Sequence, residues 1–101
     1  MSEIGERAFY NCTKLSEIQL PNGLTEIKDY TFCRCGFSSF VLPEGVTVIG
    51  KGAFSYSQNL TQITIPKSVT RIEEDAFNAC VDLETIIYEG TVAEWNAIKK
   101  G

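Results

Sequence analysis

Apolar and polar residues repeat along most of the chain with a spacing of 22 or 23 residues. Phenylalanine marks one position of the repeat, at Phe9, Phe32, Phe54 and Phe77. Isoleucine marks a second position, at Ile4, Ile27, Ile49 and Ile72. A fixed period of about 20 to 50 residues is the signature of architectures built from stacked repeats.

Each unit predicts a short strand, a turn and a tight corner. Leu60-x-x-Ile63-x-Ile65 ends with alternating apolar and polar residues, as a half-buried strand does. Pro66 has no N–H to give to a strand ladder, so the strand ends there and the chain turns. Val69–Ile72 is a second short extended piece, and Ala76–Cys80 predicts a helical or 3₁₀ corner. We therefore predict parallel main strands at about residues 15–20, 38–42, 60–65 and 83–88.

One such unit buries too little apolar surface to fold alone, whereas stacked units share their buried faces. The pattern therefore predicts a repeat solenoid, a right-handed superhelix of parallel strands, in one domain over residues 1–101. The units lie at about residues 4–20, 21–42, 43–65 and 66–88, followed by a cap over residues 90–101.

The last residues break the repeat and predict a capping helix. Thr91 and Glu94 have the spacing of a capping box, in which each side chain satisfies a free backbone N–H. Val92, Trp95 and Ile98 are three residues apart and share one side of a helix. Lys99 and Lys100 suit the negative end of its dipole. We expect Trp95 to cover the last unit.

Composition excludes several functions. The net charge is −4, which argues against binding nucleic acid, because phosphates need clustered cations. The apolar runs are too short to insert into a membrane. The chain has no histidine, the usual general base and metal ligand. We therefore predict no enzyme, no catalytic residues, no cofactor and no metal, with a weak Ca²⁺ site at Glu73–Asp75 as the alternative to a solvated acidic corner.

The cysteines fit a ladder of small buried side chains. Cys12, Cys35 and Cys80 hold the same place in their units, and Ser57 holds it in the third. A disulfide between Cys12 and Cys35 and a zinc site are the alternatives left open. Cys33 matches polar residues in the other units, so we predict that it is the most exposed thiol.

Two segments resemble a known family, "LPEGVTVIGKGAFSYSQNLTQITIP" at residues 42–66 and "IPKSVTRIEEDAFNACVDLETIIY" at residues 65–88. They are similar to the BspA-like, or Treponema-type, leucine-rich repeats, and Gly90, Thr91, Glu94 and Trp95 match the element that often closes those arrays. The resemblance implies a curved solenoid in a secreted or cell-surface protein that adheres to host proteins or cells, without shared catalytic residues. The first residues of the chain do not form a signal peptide, which leaves a cytoplasmic location open.

The alternate positions of the main strands predict a binding surface, because they face away from the core. They are Glu17, Gln19, Ser39, Val41, Gln62, Thr64, Thr85 and Ile87. This row has no aromatic side chain for stacking on sugars or bases, so we expect a protein partner, such as a host extracellular-matrix or cell-surface protein. Tyr10, Tyr30 and Tyr56 at the corners form a rival surface. The alternative function is a structural spacer or the C-terminal cap of a longer cell-surface repeat protein.

The first unit begins halfway through a turn and leaves an apolar face around Ile4, Ala8 and Phe9 without a cap. We expect this face to self-associate in isolation, head to head across a two-fold axis.

Overall fold

The computed structural model describes residues 4–18, 20 and 23–100, and it contains two parallel sheets. Sheet A has the order β1-β3-β5-β7 and sheet B the order β2-β4-β6. The strands of sheet A are β1 (Glu26–Ile27), β3 (Val48–Ile49), β5 (Arg71–Ile72) and β7 (Lys99–Lys100). The strands of sheet B are β2 (Ser39–Val41), β4 (Gln62–Ile65) and β6 (Thr85–Tyr88). Neighbouring strands come from successive repeats, and the second, third and fourth units each add one strand to each sheet.

The register follows the sequence repeat. Ile27 pairs with Ile49 and Ile49 with Ile72 in sheet A. Phe40 pairs with Ile63 and Ile63 with Ile86 in sheet B. The predicted parallel main strands are therefore confirmed at β2, β4 and β6.

The main strand predicted at residues 15–20 is wrong for residues 15–18, which are not in a strand, and Gln19 lies outside the described residues. The second unit is one residue short here, and its backbone meets the first unit at Gly36. The Gly36 N–H donates to the Leu15 carbonyl at 3.0 Å. A Cβ at Gly36 would lie 2.3 Å from the Thr13 carbonyl oxygen, so only glycine permits this approach.

The corners are chains of tight turns, so the predicted helical or 3₁₀ corners are wrong. In the third unit the N–H groups of Ala53 and Ser55 donate to carbonyls three residues earlier, at 3.1 Å each. Each corner also holds two residues with a left-handed backbone, which interrupts any helix. The first is Arg7, Tyr30, Gly52 or Asp75, and the second is Asn11, Arg34, Tyr56 or Ala79.

The core is a column of phenylalanines enclosed by isoleucine and leucine from both sheets. Phe9, Phe32, Phe54 and Phe77 stack with ring centroids 5.5–5.7 Å apart. The two inner rings, Phe32 and Phe54, are fully buried. Offset stacked rings add about 0.5–1.5 kcal/mol per pair beyond their burial, which ties each unit to the next.

The C-terminal segment forms helix α1 (Val92–Ala97) and then strand β7. The capping box is present: the Thr91 N–H donates to Glu94 Oε1 at 2.9 Å, and the Glu94 N–H donates to Thr91 Oγ1 at 3.1 Å. The helix stops before Lys99 and Lys100, contrary to the prediction, because Ile98 adopts an extended backbone and is buried. Val92 is 77% exposed, so it does not share a buried side with Ile98.

Candidate functional site

The outward face of sheet B carries two rows of side chains in register. Ser39, Gln62 and Thr85 form a polar row across β2, β4 and β6. The second row, two residues further along each strand, contains Val41, Thr64 and Ile87. We call these six residues the outer patch. Because parallel strands lie about 4.8 Å apart, each row spans about 10 Å.

Exposure within the outer patch is uneven. Val41 is 68% exposed and Ile87 is 41% exposed. Thr64 is only 9% exposed, so the prediction that it is an exposed residue is wrong. It lies on the middle strand, in register with Val41 on one side and Ile87 on the other. The second row therefore consists of two exposed aliphatic side chains, Val41 and Ile87, with the buried Thr64 between them.

An open depression of about 660 Å³ borders the outer patch. It brings together three of the predicted binding residues, Glu17, Ser39 and Val41. Phe37, Phe40 and Pro43 also line it, together with Ser16, Ile18 and Leu20. Glu17 is exposed and supplies the carboxylate of this lining, while Gln19 lies outside the described residues. Sequence reasoning did not find the depression, because it forms where the first unit fails to continue the sheet.

The rival surface at the corners is a set of arginine–tyrosine stacks. The Arg7 guanidinium lies 4.9 Å from the centre of the Tyr30 ring, and that of Arg34 lies 4.9 Å from the Tyr56 ring. Tyr56 is 43% exposed and Tyr30 is half-buried. The Tyr30 ring covers Gly52, where a Cβ would lie 2.4 Å from a ring carbon. These tyrosines already have partners in their own chain, which holds them to the corner.

The cysteine ladder is held by hydrogen bonds between units. The Cys35 thiol donates to the Phe9 carbonyl at 3.2 Å, and the Cys80 thiol donates to the Phe54 carbonyl at 3.0 Å. Ser57 makes the equivalent bond to Phe32 at 3.0 Å. The interchange of Cys and Ser therefore has a physical reason, since the position needs a small buried donor. All four cysteines are free thiols.

Cys33 is buried, so the prediction that it is the most exposed thiol is wrong. Units stack on both sides of it, and the hydroxyl of Ser55 donates to its Sγ at 3.2 Å. The matching positions in the outer units, Tyr10 and Asn78, are exposed. Exposure at this position therefore depends on the unit, and polarity alone could not predict it.

Burial suppresses the reactivity of the ladder thiols. Desolvation, assisted by the neighbouring Cys12, raises the pKa of Cys35 from 9.0 to about 12. Desolvation also raises the pKa of Cys80. Since the thiolate is the nucleophile, both side chains stay protonated and serve as packing and hydrogen-bonding groups at neutral pH.

The described residues lack both a metal-binding cluster and a helix that could span a membrane. Across residues 4–18, 20 and 23–100, no group of three or more His, Cys, Asp or Glu side chains is placed to hold a metal ion. In the same part of the chain, no helix has the length and hydropathy needed to cross a membrane.

The stacked parallel strands and the 22- to 23-residue unit define a leucine-rich-repeat fold. The family model described as BspA type leucine rich repeat region (6 copies) matches residues 1–98, and the chain belongs to this family. The resemblance found in the sequence is thereby confirmed.

Two solved structures are similar to the chain. One is a leucine rich cell surface protein from Faecalibacterium prausnitzii, with 40% identity and a TM-score of 0.94 over 97% of this chain. The chain spans 26% of the length of that protein. The other is a leucine-rich repeat protein from Bacteroides ovatus, with 27% identity and a TM-score of 0.45 over 87% of this chain and 35% of that one. The comparison with curated proteins gives no match.

Proposed function

We propose that the chain is a non-catalytic protein-binding module of a bacterial cell-surface leucine-rich-repeat protein. Its binding surface is the outer patch together with the depression beside Glu17. The observation that supports this function best is a pair of exposed aliphatic side chains, Val41 and Ile87, which lie in one row across sheet B. Short polar side chains border this pair. The partner is a host extracellular-matrix or cell-surface protein.

The chemistry of this surface favours a protein partner. An interface core needs apolar groups that exclude water, surrounded by polar groups that remain solvated. Val41 and Ile87 supply the first, while Ser39, Gln62 and Thr85 supply the second. The depression can accept a side chain of the partner, and Glu17 favours a cation at its edge. The similarity to a cell surface protein supports the location.

The second candidate is a structural spacer or C-terminal cap within a longer surface protein, with the repeats wound as a right-handed superhelix. The observation that favours it is the segment after β6. Helix α1 and β7 replace the usual turn, and Trp95 packs on Tyr88 with ring centroids 5.3 Å apart. In this role α1 closes the array, and the outer patch only keeps the sheet soluble.

A binding assay with matched variants distinguishes the two candidates. The purified chain is tested by surface plasmon resonance against a panel of purified extracellular-matrix and host cell-surface proteins. The test variant is Val41→Lys/Ile87→Lys. The matched control is Val81→Lys/Val92→Lys, since Val81 and Val92 are 72% and 77% exposed and lie outside the patch. A third variant, Tyr30→Ala/Tyr56→Ala, tests the corners.

The proposal predicts that one or more proteins bind the wild type and that the patch variant weakens this by about tenfold or more, as loss of a central apolar contact does. The control variant should bind like the wild type. Loss only in the tyrosine variant would move the site to the corners. If no protein of the panel binds the wild type at micromolar concentration, the spacer function replaces the binding function.

A further inference from the structure

The second unit is one residue shorter than its neighbours at one place in the corner. In the first and third units, two residues stand between the ladder position and the following leucine. In the second unit a single residue, Gly36, stands between Cys35 and Phe37. Because glycine has no side chain, the second unit contributes none at this place. The missing residue therefore leaves a gap between the turns of the first and third units.

A notch of about 210 Å³ lies at this gap, and we call it the corner notch. Three successive units line it, through Thr13 of the first, Arg34, Cys35 and Gly36 of the second, and Tyr56, Gln58 and Asn59 of the third. Pockets for drug-sized ligands measure about 300–1,000 Å³, so the corner notch has room for one ring or one side chain of a larger molecule. It shares no residue with the outer patch.

Arg34 supplies the positive charge of the corner notch. Its guanidinium lies over the Tyr56 ring, 4.9 Å from the ring centre, and its backbone N–H donates to the Ser55 carbonyl at 2.9 Å. Within residues 4–18, 20 and 23–100 its side chain makes no hydrogen bond or ion pair, and no carboxylate lines the notch. A guanidinium held by its face keeps its N–H edge free, and that edge pairs with a carboxylate through two parallel hydrogen bonds.

The other polar groups of the corner notch suit hydroxyl groups. Thr13, Gln58 and Asn59 are exposed, and in the part of the chain that the structure describes their side chains make no hydrogen bond. A carboxamide or a hydroxyl both donates and accepts, as each hydroxyl of a sugar does. No aliphatic side chain lines the notch, whereas the core of a protein interface is apolar. The lining therefore suits an anion rich in hydroxyls better than a side chain of a protein partner.

We propose that the corner notch binds a carboxylated sugar, namely a sialic acid or uronic acid residue of a glycan. The Arg34 guanidinium binds the carboxylate on the sugar ring. The carboxamides of Gln58 and Asn59 and the hydroxyl of Thr13 bind the sugar hydroxyls. The notch is thus a second binding site of the chain, with a ligand of another class than the protein partner of the outer patch.

An amide NMR titration of the purified chain with single sugars tests the site. The probes are the methyl glycosides of N-acetylneuraminic acid and of glucuronic acid. Methyl glucoside lacks the carboxylate, acetate lacks the sugar, and a glucose sulfate replaces the carboxylate by a sulfate. At millimolar concentration, one or both acidic sugars should shift the amides of Arg34, Gly36 and Asn59. They should bind about tenfold more tightly than methyl glucoside or acetate, each of which lacks part of the contacts.

Matched variants make the test specific. Arg34→Asn removes the guanidinium, and Asn11 already holds the equivalent left-handed position in the first unit, so the backbone accepts the change. The control is Arg7→Asn, because the Arg7 guanidinium also lies 4.9 Å from a tyrosine ring centre and does not line the notch. Gln58→Ala/Asn59→Ala removes the carboxamides and keeps the charge.

Arg34→Asn should weaken binding of the acidic sugar about tenfold or more, since it removes the charged hydrogen bonds. Gln58→Ala/Asn59→Ala should remove the preference for the acidic sugar over acetate. Arg7→Asn and the patch variant Val41→Lys/Ile87→Lys should bind the sugar like the wild type. Circular dichroism checks that each variant folds.

Three results would overturn the proposal. The first is the absence of amide shifts at the corner notch with both acidic sugars. The second is binding of methyl glucoside or acetate as tight as that of the acidic sugar. The third is tighter binding of the glucose sulfate, which would make the ligand a sulfated sugar instead.

Discussion

Strands β4 and β6 carry the same pattern of residues but differ in how much of it they bury. In β4, Ile63 and Ile65 are fully buried. In β6, Ile86 is 42% exposed and Tyr88 is half-buried. β4 has a strand on each side, whereas β6 pairs with β4 alone among the described residues. The burial of a side chain at a given repeat position therefore depends on whether units stack on both sides of it, and not on its residue type alone.

The largest expected effect comes from truncating the same position in the two strands. Ile63→Ala should lower the free energy of unfolding by about 2–5 kcal/mol, because it leaves a cavity in a closed core. Ile86→Ala should lower it by about 1 kcal/mol, because part of the side chain is already in water. Urea denaturation at a concentration where the chain is monomeric measures both. Equal losses would show that the fourth unit is as closed as the third.

The ladder position gives a second comparison between inner and outer units. Ser57→Ala should cost about 1–3 kcal/mol, because the Phe32 carbonyl loses its buried donor. Ser57→Cys is the matched control and should cost less, since cysteine fills this position in the other units. Cys80→Ala at the half-exposed outer position should cost less than Ser57→Ala, because water can replace the thiol. Thermal and urea unfolding of the three variants measure these losses of stability. A loss for Cys80→Ala or Ser57→Cys larger than that for Ser57→Ala would contradict the prediction.

Alkaline pH should destabilise the fold through Cys35. Its pKa rises to about 12 in the folded chain, so above pH 9 the unfolded chain loses the thiol proton while the folded chain keeps it. Stability then falls as pH rises, by at most about 1.4 kcal/mol per pH unit from this group. The free energy of unfolding of the wild type and of Cys35→Ser, measured from about pH 8 to about pH 10.5, isolates the effect. This range covers roughly the lower half of the interval between the two pKa values of Cys35. An equal slope in the variant would assign it to other groups.

The smallest expected effect lies in helix α1. Thr91→Ala removes the capping box and should cost about 1 kcal/mol of helix stability, with little change in the two sheets. The backbone N–H of Thr91 lowers the pKa of Glu94, so the contact is present at neutral pH and weakens as pH falls through that lowered pKa. Backbone NMR shifts of residues 91–98 would measure the fraying, with Thr91→Ser as the control. Shifts that spread into β4 would indicate that α1 supports the core.

The repeat period was sufficient to predict the parallel strands β2, β4 and β6, and the resemblance of residues 42–66 and 65–88 to known repeats indicated the family. The period is informative because each unit buries the same face against its neighbours. Phe54, Ile63 and their equivalents therefore recur at one spacing along the chain. The capping box was also predictable, since Thr91 and Glu94 interact over one helical turn.

The failures have a common cause. The burial of Thr64 and Cys33 and the missing strand at residues 15–18 depend on which units lie on each side. Asp75 and Ala79 adopt a left-handed backbone that glycine favours, and their side chains give no signal of it. The depression beside Glu17 arises where two units of unequal length meet. A single unit's sequence carries none of this information.

The outer patch was only partly predictable. Period-two alternation identified its outward positions correctly for Ser39, Val41, Gln62, Thr85 and Ile87. Whether these residues bind a protein depends on the partner's chemistry, and that choice stays a prediction.

Hydrogen exchange of the corner amides tests the central claim most directly, namely that neighbouring units complete each position. In the monomer, the amides of Gly52, Phe54 and Tyr56 should be strongly protected, because each donates to the next unit. Those of Phe77 and Ala79 should exchange rapidly, because no backbone carbonyl of the described residues accepts from them. Equal protection of both corners in the monomer would contradict the account.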